Sequence, residues 1–334
     1  MTNLTETMKA TRMLEVGRMI CEEIPVPPIS DGQVLVRSEM ASICGSDLHI
    51  VMMGAGVSHP TPCPHGYPGH EGIGTIVESK AQGLEPGTHV LTFPNPFQGE
   101  CFNQYQRVGA KYCMALPDTD VARTELLMAQ QLGTVVWARK RFPRDVTGET
   151  VAVVGQGSAG LFWTYLLKRA GAEKVIVSDL SDARLALAAK YGADVTVNAS
   201  TDSLGEAVAD LTGGRGVDYA VEAVGRSETF LSSVELPRVD GELMWFGLPS
   251  NDAPIQMDFN RFFRKRLKAA SVYGAQDEPK AASFAEALDL IADRQIDVAP
   301  LLSHVYDVEQ IDEAMHMAHE PVDAGALKVS VRFS

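Results

Sequence analysis

The chain has 334 residues, 45% of them hydrophobic and 22% charged, the composition of an ordinary soluble globular protein. At roughly 150 residues per domain, that length predicts two cores rather than one. A net charge of −14 argues against nucleic acid as a partner, because most of the surface would repel a phosphate backbone.

No apolar run reaches the ~18 residues of a membrane span, and no secretory leader opens the chain, so a cytoplasmic protein without a membrane partner is expected. The five cysteines, Cys21, Cys44, Cys63, Cys101 and Cys113, then read as reduced thiols, one or more of them available to a metal. Neither an internal repeat nor a low-complexity segment is present.

From Met8 to about Leu116 the texture is β-rich and broken by Gly and Pro. Gln33 to Met40, Gly72 to Ser79 and Thr88 to Phe93 read as strands between turn residues. A Pro/Gly/His loop, Ser58 to Glu71, lies between the first two, and the whole fits a partly open barrel. Thr124 to Arg141 then predicts one long helix, ended by Pro143 and Gly148.

Beyond it strands and helices alternate. Thr150 to Gly155, Lys174 to Asp179, Val217 to Gly225 and Glu242 to Gly247 read as strands, Ala159 to Ala170 and Asp182 to Tyr191 as helices. Such alternation predicts a parallel sheet covered on both faces. The basic run Arg261 to Lys268 reads as an amphipathic surface helix. A strand at Ser271 to Gly274, a helix at Ala281 to Arg294 and a closing strand at Leu327 to Phe333 complete the chain, and this tail can return to the first domain. Trp137, Trp163 and Trp245 fall in apolar patterns that suit core packing.

Gly155, Gly157 and Gly160 form G-x-G-x-x-G at a strand-to-helix turn. The first permits the tight turn, the second lets backbone approach a pyrophosphate, and the third lets the helix pack on the strand. The helix N-terminus offers free N–H groups and a partial positive charge. Asp179 ends the next strand, where a carboxylate accepts from ribose hydroxyls and repels a 2′-phosphate, so NAD is favoured over NADP. The cofactor-binding set is Gly155, Gly157, Ser158, Ala159, Gly160, Asp179 and Arg184. Glu222, late in an apolar strand, either packs or faces the cofactor.

Ser42 to His49 reads SICGSDLH, and Gly69 to Gly72 reads GHEG. Cys44 and His70 are donors suited to Zn²⁺, although each in isolation also suits a packing role. Cys63 and His65 share the loop, but turn chemistry accounts for them. His304, His316 and His319 show no spacing that demands function.

These segments, with GYPGHEGIGTIVE, the glycine fingerprint and its following acid, occur in an order that resembles the zinc-dependent alcohol and polyol dehydrogenases (sorbitol and threonine types) of the medium-chain dehydrogenase/reductase superfamily. The resemblance runs from Met8 onward. It implies an α/β protein with a GroES-like β-rich catalytic domain (1–130 and 273–334) and a doubly wound Rossmann domain (131–272), a cleft lying between them. It also implies Cys44 and His70 as ligands of one catalytic zinc, Glu71 as an inner or outer carboxylate, Ser46 as the hydroxyl that meets the substrate alcohol, and His49 as the proton carrier. Asp47 corresponds to an acid that orients His70.

Two departures stand out. Relatives often hold a structural zinc with four close cysteines, whereas Val90 to Cys113 offers only Cys101 and Cys113, so no structural zinc is expected. The family's third ligand position falls at Gln130, a neutral amide, so the metal set is Cys44 and His70 with Gln130 or Glu71 completing it, and Glu71 is expected to compensate for the missing acid. The implied reaction interconverts a small secondary alcohol, polyol or amino alcohol and its carbonyl form with NAD. A zinc-free NAD(P)H reductase and an inactive nucleotide-binding protein remain alternatives. Pairing of the 271–274 strand across a two-fold axis predicts a homodimer or homotetramer.

Overall fold

The computed structural model describes residues 5–251, 253–276, 278–319 and 325–333. Two compact units divide the chain, Met1–Thr134 with Ala275–Ser334, and Val135–Gly274.

The first unit begins with an antiparallel pair, β1 (Thr7–Glu15) and β2 (Arg18–Pro25), turned at Gly17. Then follow β3 (Gln33–Ser42), α1 (Gly45–Met53), β4 (Gly72–Ser79), β5 (His89–Thr92), β6 (Tyr105–Gly109) and β7 (Cys113–Ala115). The helix expected over 124–141 is two pieces, α2 (Arg123–Leu126) and α3 (Ala129–Arg141). Leu126 to Ala129, where the two pieces meet, are all buried, and no Gly or Pro announces the break.

In the second unit β8 (Thr150–Val154), α4 (Ser158–Arg169), β9 (Lys174–Asp179), α5 (Asp182–Lys190), β10 (Val195–Asn198), α6 (Leu204–Thr212), β11 (Val217–Glu222), α7 (Ser227–Ser233), β12 (Pro237–Trp245), α8 (Phe259–Arg264) and β13 (Lys268–Ser271) succeed one another. Their six strands run parallel in the order β10-β9-β8-β11-β12-β13. The central strands are buried on both faces beyond their first residues, which explains the apolar runs Val151–Val154 and Val175–Val177, while β11 also buries Asp218, Tyr219 and Glu222. The order reverses between β8 and β11, the place where open α/β sheets bind ligands beyond their strand ends.

Two sequence expectations need correction in this unit. The basic run is not one amphipathic helix: α8, capped by Asp258, starts at Phe259, two residues before the run, and stops at Arg264, and Arg266 at φ 51° turns the chain before Lys268 opens β13. Phe262 packs on Trp245, while Phe259 and Phe263 face outward. The strand placed at 271–274 instead covers Lys268–Ser271, where it forms the sheet edge.

The chain then re-enters the first unit through α9 (Ala282–Ala292), β14 (Leu302–Asp307), α10 (Ile311–His319) and β15 (Lys328–Arg332). β15 lies antiparallel to β3 and parallel to β14, giving a sheet of order β14-β15-β3-β4-β5-β7, with β6 also on β3. The tail thus completes the first unit's sheet. Ile50 and Val51 of α1 share one core cluster with Ile311, Ala314 and Met315 of α10 and Val329 and Val331 of β15. That packing fixes α1, whose first turn carries the site residues.

Candidate active site

β3 ends at Ser42, and the Ile43 amide donates to the Val329 carbonyl at 2.9 Å, which places Cys44 at the mouth of α1. The Cys44 amide donates to Asp47 Oδ2 at 2.9 Å, so one carboxylate caps the helix. On the neighbouring strand His70 and Glu71 immediately precede β4, and the Ser42 amide donates to the Glu71 carbonyl at 3.1 Å. Strand pairing therefore brings the two sequence segments together.

Ligand atoms of Cys44, His70 and Glu71 all lie within 4.8 Å of one another, the one such three-donor group among the described residues. His70 Nδ1 is 3.0 Å from Asp47 Oδ1 and 3.1 Å from the Pro68 carbonyl. Both neighbours are acceptors, so the ring proton belongs on Nδ1 and Nε2 is left to ligate. Ser46 Oγ stands 3.4 Å from that Nε2. Gln130, buried at the start of α3, donates its amide to the His70 carbonyl at 3.5 Å, a long bond to the backbone of a donor residue.

The cluster is dry: Asp47, His70, Glu71 and Lys328 are all at least 95% buried, two acids beside an ammonium and an imidazole, so each charge depends on a partner within the cluster. Burial by itself would push the His70 pKa down, yet Asp47 and Cys44 hold it well above the ordinary imidazole range. Glu71 Oε1 is buried with no hydrogen-bond partner among the described residues. A cysteine sulfur, an imidazole nitrogen and a carboxylate oxygen gathered within 4.8 Å, beside a buried carboxylate oxygen with no hydrogen-bond partner among the described residues, form a donor set that fits a zinc ion.

Lys328 was not singled out from the sequence. Its Nζ lies 2.6 Å from Glu71 Oε2, and the Ser42 hydroxyl donates to the same oxygen. Burial opposes the ammonium, but Glu71, Cys44 and Asp47 outweigh it and raise its pKa. The available signal was one lysine at the head of an apolar strand, LKVSVRF, since lysine is almost never buried unless paired. His49 is half-buried on α1, its Nδ1 without a hydrogen-bond partner among the described residues. Burial first, then His319, lowers its pKa.

In the second unit, Gly155 follows β8 at φ 88°, and a Cβ there would lie 2.4 Å from Val224 Cγ2. At Gly160 a Cβ would lie 1.9 Å from the Gly155 carbonyl oxygen. Gly157 is different: nothing lies within 4 Å of its Cβ position, and it heads α4 with no side chain capping the helix. By contrast, Ser181 caps α5 and Ser203 caps α6. The first turn of α4, beginning at Ser158, thus has no side-chain cap, and the space beside Gly157 is open.

Asp179 ends β9, where its Oδ2 accepts the Gln156 amide at 2.6 Å and its Oδ1 accepts the Ser181 amide at 3.0 Å. Arg184 on α5 stands 3.9 Å from Oδ2. The acid thus ties the glycine loop to the following helix. Glu222 ends β11 fully buried, its Oε1 accepting from Val224 N, Gly225 N and Thr229 Oγ1 at 2.7–2.9 Å, and so shapes the loop that meets Gly155. His65 pairs with Glu22 at 2.8 Å, Cys63 is buried, and neither belongs to the three-donor group.

The model of the zinc-binding dehydrogenase family matches residues 159–293, and that of the alcohol dehydrogenase GroES-like domain matches residues 30–124. L-threonine 3-dehydrogenase of Coxiella burnetii is 25% identical, the match covering 87% of this chain and 90% of the relative. Sorbitol dehydrogenase of Bacillus subtilis is 27% identical over 94% of each chain. Among solved structures, L-idonate 5-dehydrogenase of Escherichia coli superposes with a TM-score of 0.83 at 22% identity, covering 98% of both chains. The fold and the paired donors define a two-unit protein with a nucleotide sheet and a GroES-like domain. The chain belongs to the medium-chain dehydrogenase/reductase superfamily.

Proposed function

We propose that the protein is an NAD-dependent, zinc-dependent oxidoreductase that interconverts a small secondary alcohol, polyol or amino alcohol and its carbonyl form. The observation that carries this reading is the meeting of Cys44, His70 and Glu71 donor atoms within 4.8 Å. The glycine loop beside an uncapped helix supports the cofactor. A bound zinc ion would supply a Lewis acid that lowers the pKa of a substrate hydroxyl, and bound NAD would supply the hydride acceptor.

Cys44, His70 and Glu71 would hold the ion, with Asp47 fixing the His70 tautomer. Gln130 braces the His70 backbone and leaves the carboxylate ligand role to Glu71. Ser46 Oγ, beside Nε2, would accept the substrate hydroxyl proton while releasing its own, and His49, whose Nδ1 has no hydrogen-bond partner among the described residues, would take up the released proton on its way to water. Gly157, Ser158 and Ala159 take the pyrophosphate, and Asp179 the adenosine ribose. An Asp there opposes a 2′-phosphate, with Arg184 the nearest counter-charge. The open edge of β13 supports a homodimer or homotetramer. Among the described residues no helix is long and apolar enough to cross a membrane.

The test pairs metal analysis of the purified protein with a screen of polyols, amino alcohols and secondary alcohols against NAD and NADP. We expect one zinc per chain, turnover on at least one alcohol, and a preference for NAD. Turnover that survives complete zinc removal would refute the metal, and a preference for NADP would refute the role of Asp179.

A further inference from the structure

Lys328 opens β15 and is 2% exposed, and its ion-pair partner is a carboxylate of the donor cluster. The two oxygens of that carboxylate are in opposite situations. Oε2 accepts the Ser42 hydroxyl and lies 2.6 Å from the Lys328 ammonium, which is held there by charge, since Lys328 Nζ makes no hydrogen bond among the described residues. Oε1 is equally buried and has no hydrogen-bond partner among the described residues. A desolvated acceptor left unmade is an unfavourable state, so Oε1 calls for a cation or a donor. Oε2 calls for nothing more.

We propose that Lys328 restrains Glu71 to one-oxygen binding: it holds Oε2, leaves Oε1 for the cation, and lessens the negative charge that the carboxylate delivers. The inference rests on the reading that a cation sits with Cys44, His70 and Glu71. A carboxylate free at both oxygens can chelate an ion, whereas one clamped at Oε2 presents a single donor. The ammonium and the ion also compete for the same unit of negative charge, in a place too dry for water to screen them. Lys328 is therefore a positioning residue that acts through Glu71. A lysine serving only to neutralise an acid would leave the number of donor atoms around the ion unchanged.

Cobalt reports that number, since four-coordinate Co²⁺ absorbs visible light more strongly than five-coordinate Co²⁺. The experiment loads the full-length protein with Co²⁺, records the visible spectrum, and follows Co²⁺ transfer to EDTA. In Lys328→Met the freed oxygen should add a contact, weaken the bands, and slow Co²⁺ release by roughly tenfold or more, the scale on which groups touching a ligand alter metal affinity. Should Lys328→Met fail to fold, Ser42→Ala carries the test, because it removes the hydroxyl donor to Oε2 and should slow release in the same direction by a smaller factor. Unchanged bands, or release as fast as wild type or faster, would overturn the proposal. A wild-type protein that takes up no Co²⁺ would instead refute the metal reading itself.

Discussion

Asp47 joins the two donor segments: its Oδ1 lies 3.0 Å from His70 Nδ1 while its Oδ2 accepts the amide of Cys44. One side chain thus caps the helix that presents the thiol and orients the ring that opposes it. Asp47→Ala should weaken zinc binding by about 10–100-fold, the usual consequence of losing a partner of a ligating histidine. Asp47→Asn should fall between, since an amide oxygen can serve only one of the two donors. Competition with a chromogenic chelator measures it. Wild-type affinity in Asp47→Ala would show that the carboxylate is a cap alone.

The three fingerprint glycines should separate by substitution. Gly160→Ala puts a methyl 1.9 Å from a backbone oxygen, so we expect loss of fold or of several degrees in Tm. Gly157→Ala meets no protein atom and should fold normally. It should still bind NADH at least about tenfold more weakly, because the methyl fills the place where a pyrophosphate approaches the backbone. NADH fluorescence titration beside thermal melting distinguishes the two. Unimpaired binding by a folded Gly157→Ala would remove the pyrophosphate from that loop.

Much of this was legible because it is local. Gly72 to Ser79 and Lys174 to Asp179 are strands at the predicted residues, since their alternation or burial is written in consecutive side chains. The pair β1 and β2 went unread: Arg12, Glu22 and Glu23 interrupt it, and its apolar face is made of methionines and an alanine. Cys44 and His70 could be named as ligands through the family resemblance that their segments carry, each alone suiting a packing role as well, and their meeting follows from the pairing of β3 with β4. Lys328 could not be placed that way. The return of the closing strand was expected, but its pairing beside β3, and so which acid the lysine meets across most of the chain, is a tertiary fact with no local signature.

Asp218 offers a test of stability away from the site. It ends in a fork of Arg215 and Arg238, at 2.8 Å and 2.6 Å, and accepts the Thr150 amide at 3.0 Å. Burial pushes its pKa up, but these three donors hold it below the ordinary carboxylate range. A depressed folded pKa contributes stability that is present above the unfolded value, near 3.8, and is lost as pH falls toward the folded one. Asp218→Asn should therefore cost about 2 kcal/mol at neutral pH, reduced from the full penalty of a broken buried pair because Arg215 is half-exposed. The Tm gap from wild type should close below roughly pH 4. A gap independent of pH would mean that shape, not charge, accounts for the loss.

His49 gives the sharpest prediction for turnover. Burial lowers its pKa first, and the charge of His319 at the end of α10 lowers it further. A neutral ring can accept a proton, so the relay should operate down to a pH below the ordinary imidazole value of 6.5, and the acid limb of kcat should lie there. Removing the second imidazole in His319→Gln takes away a like charge, which raises the His49 pKa and moves that limb to higher pH. His49→Gln should slow turnover by about tenfold or more at pH 6, at the lower end of what a positioned acid–base group contributes. The deficit should narrow above pH 9, where hydroxide takes the proton directly. Profiles of kcat against pH for the three proteins decide the matter: if His49→Gln superimposes on wild type at every pH, His49 carries no proton.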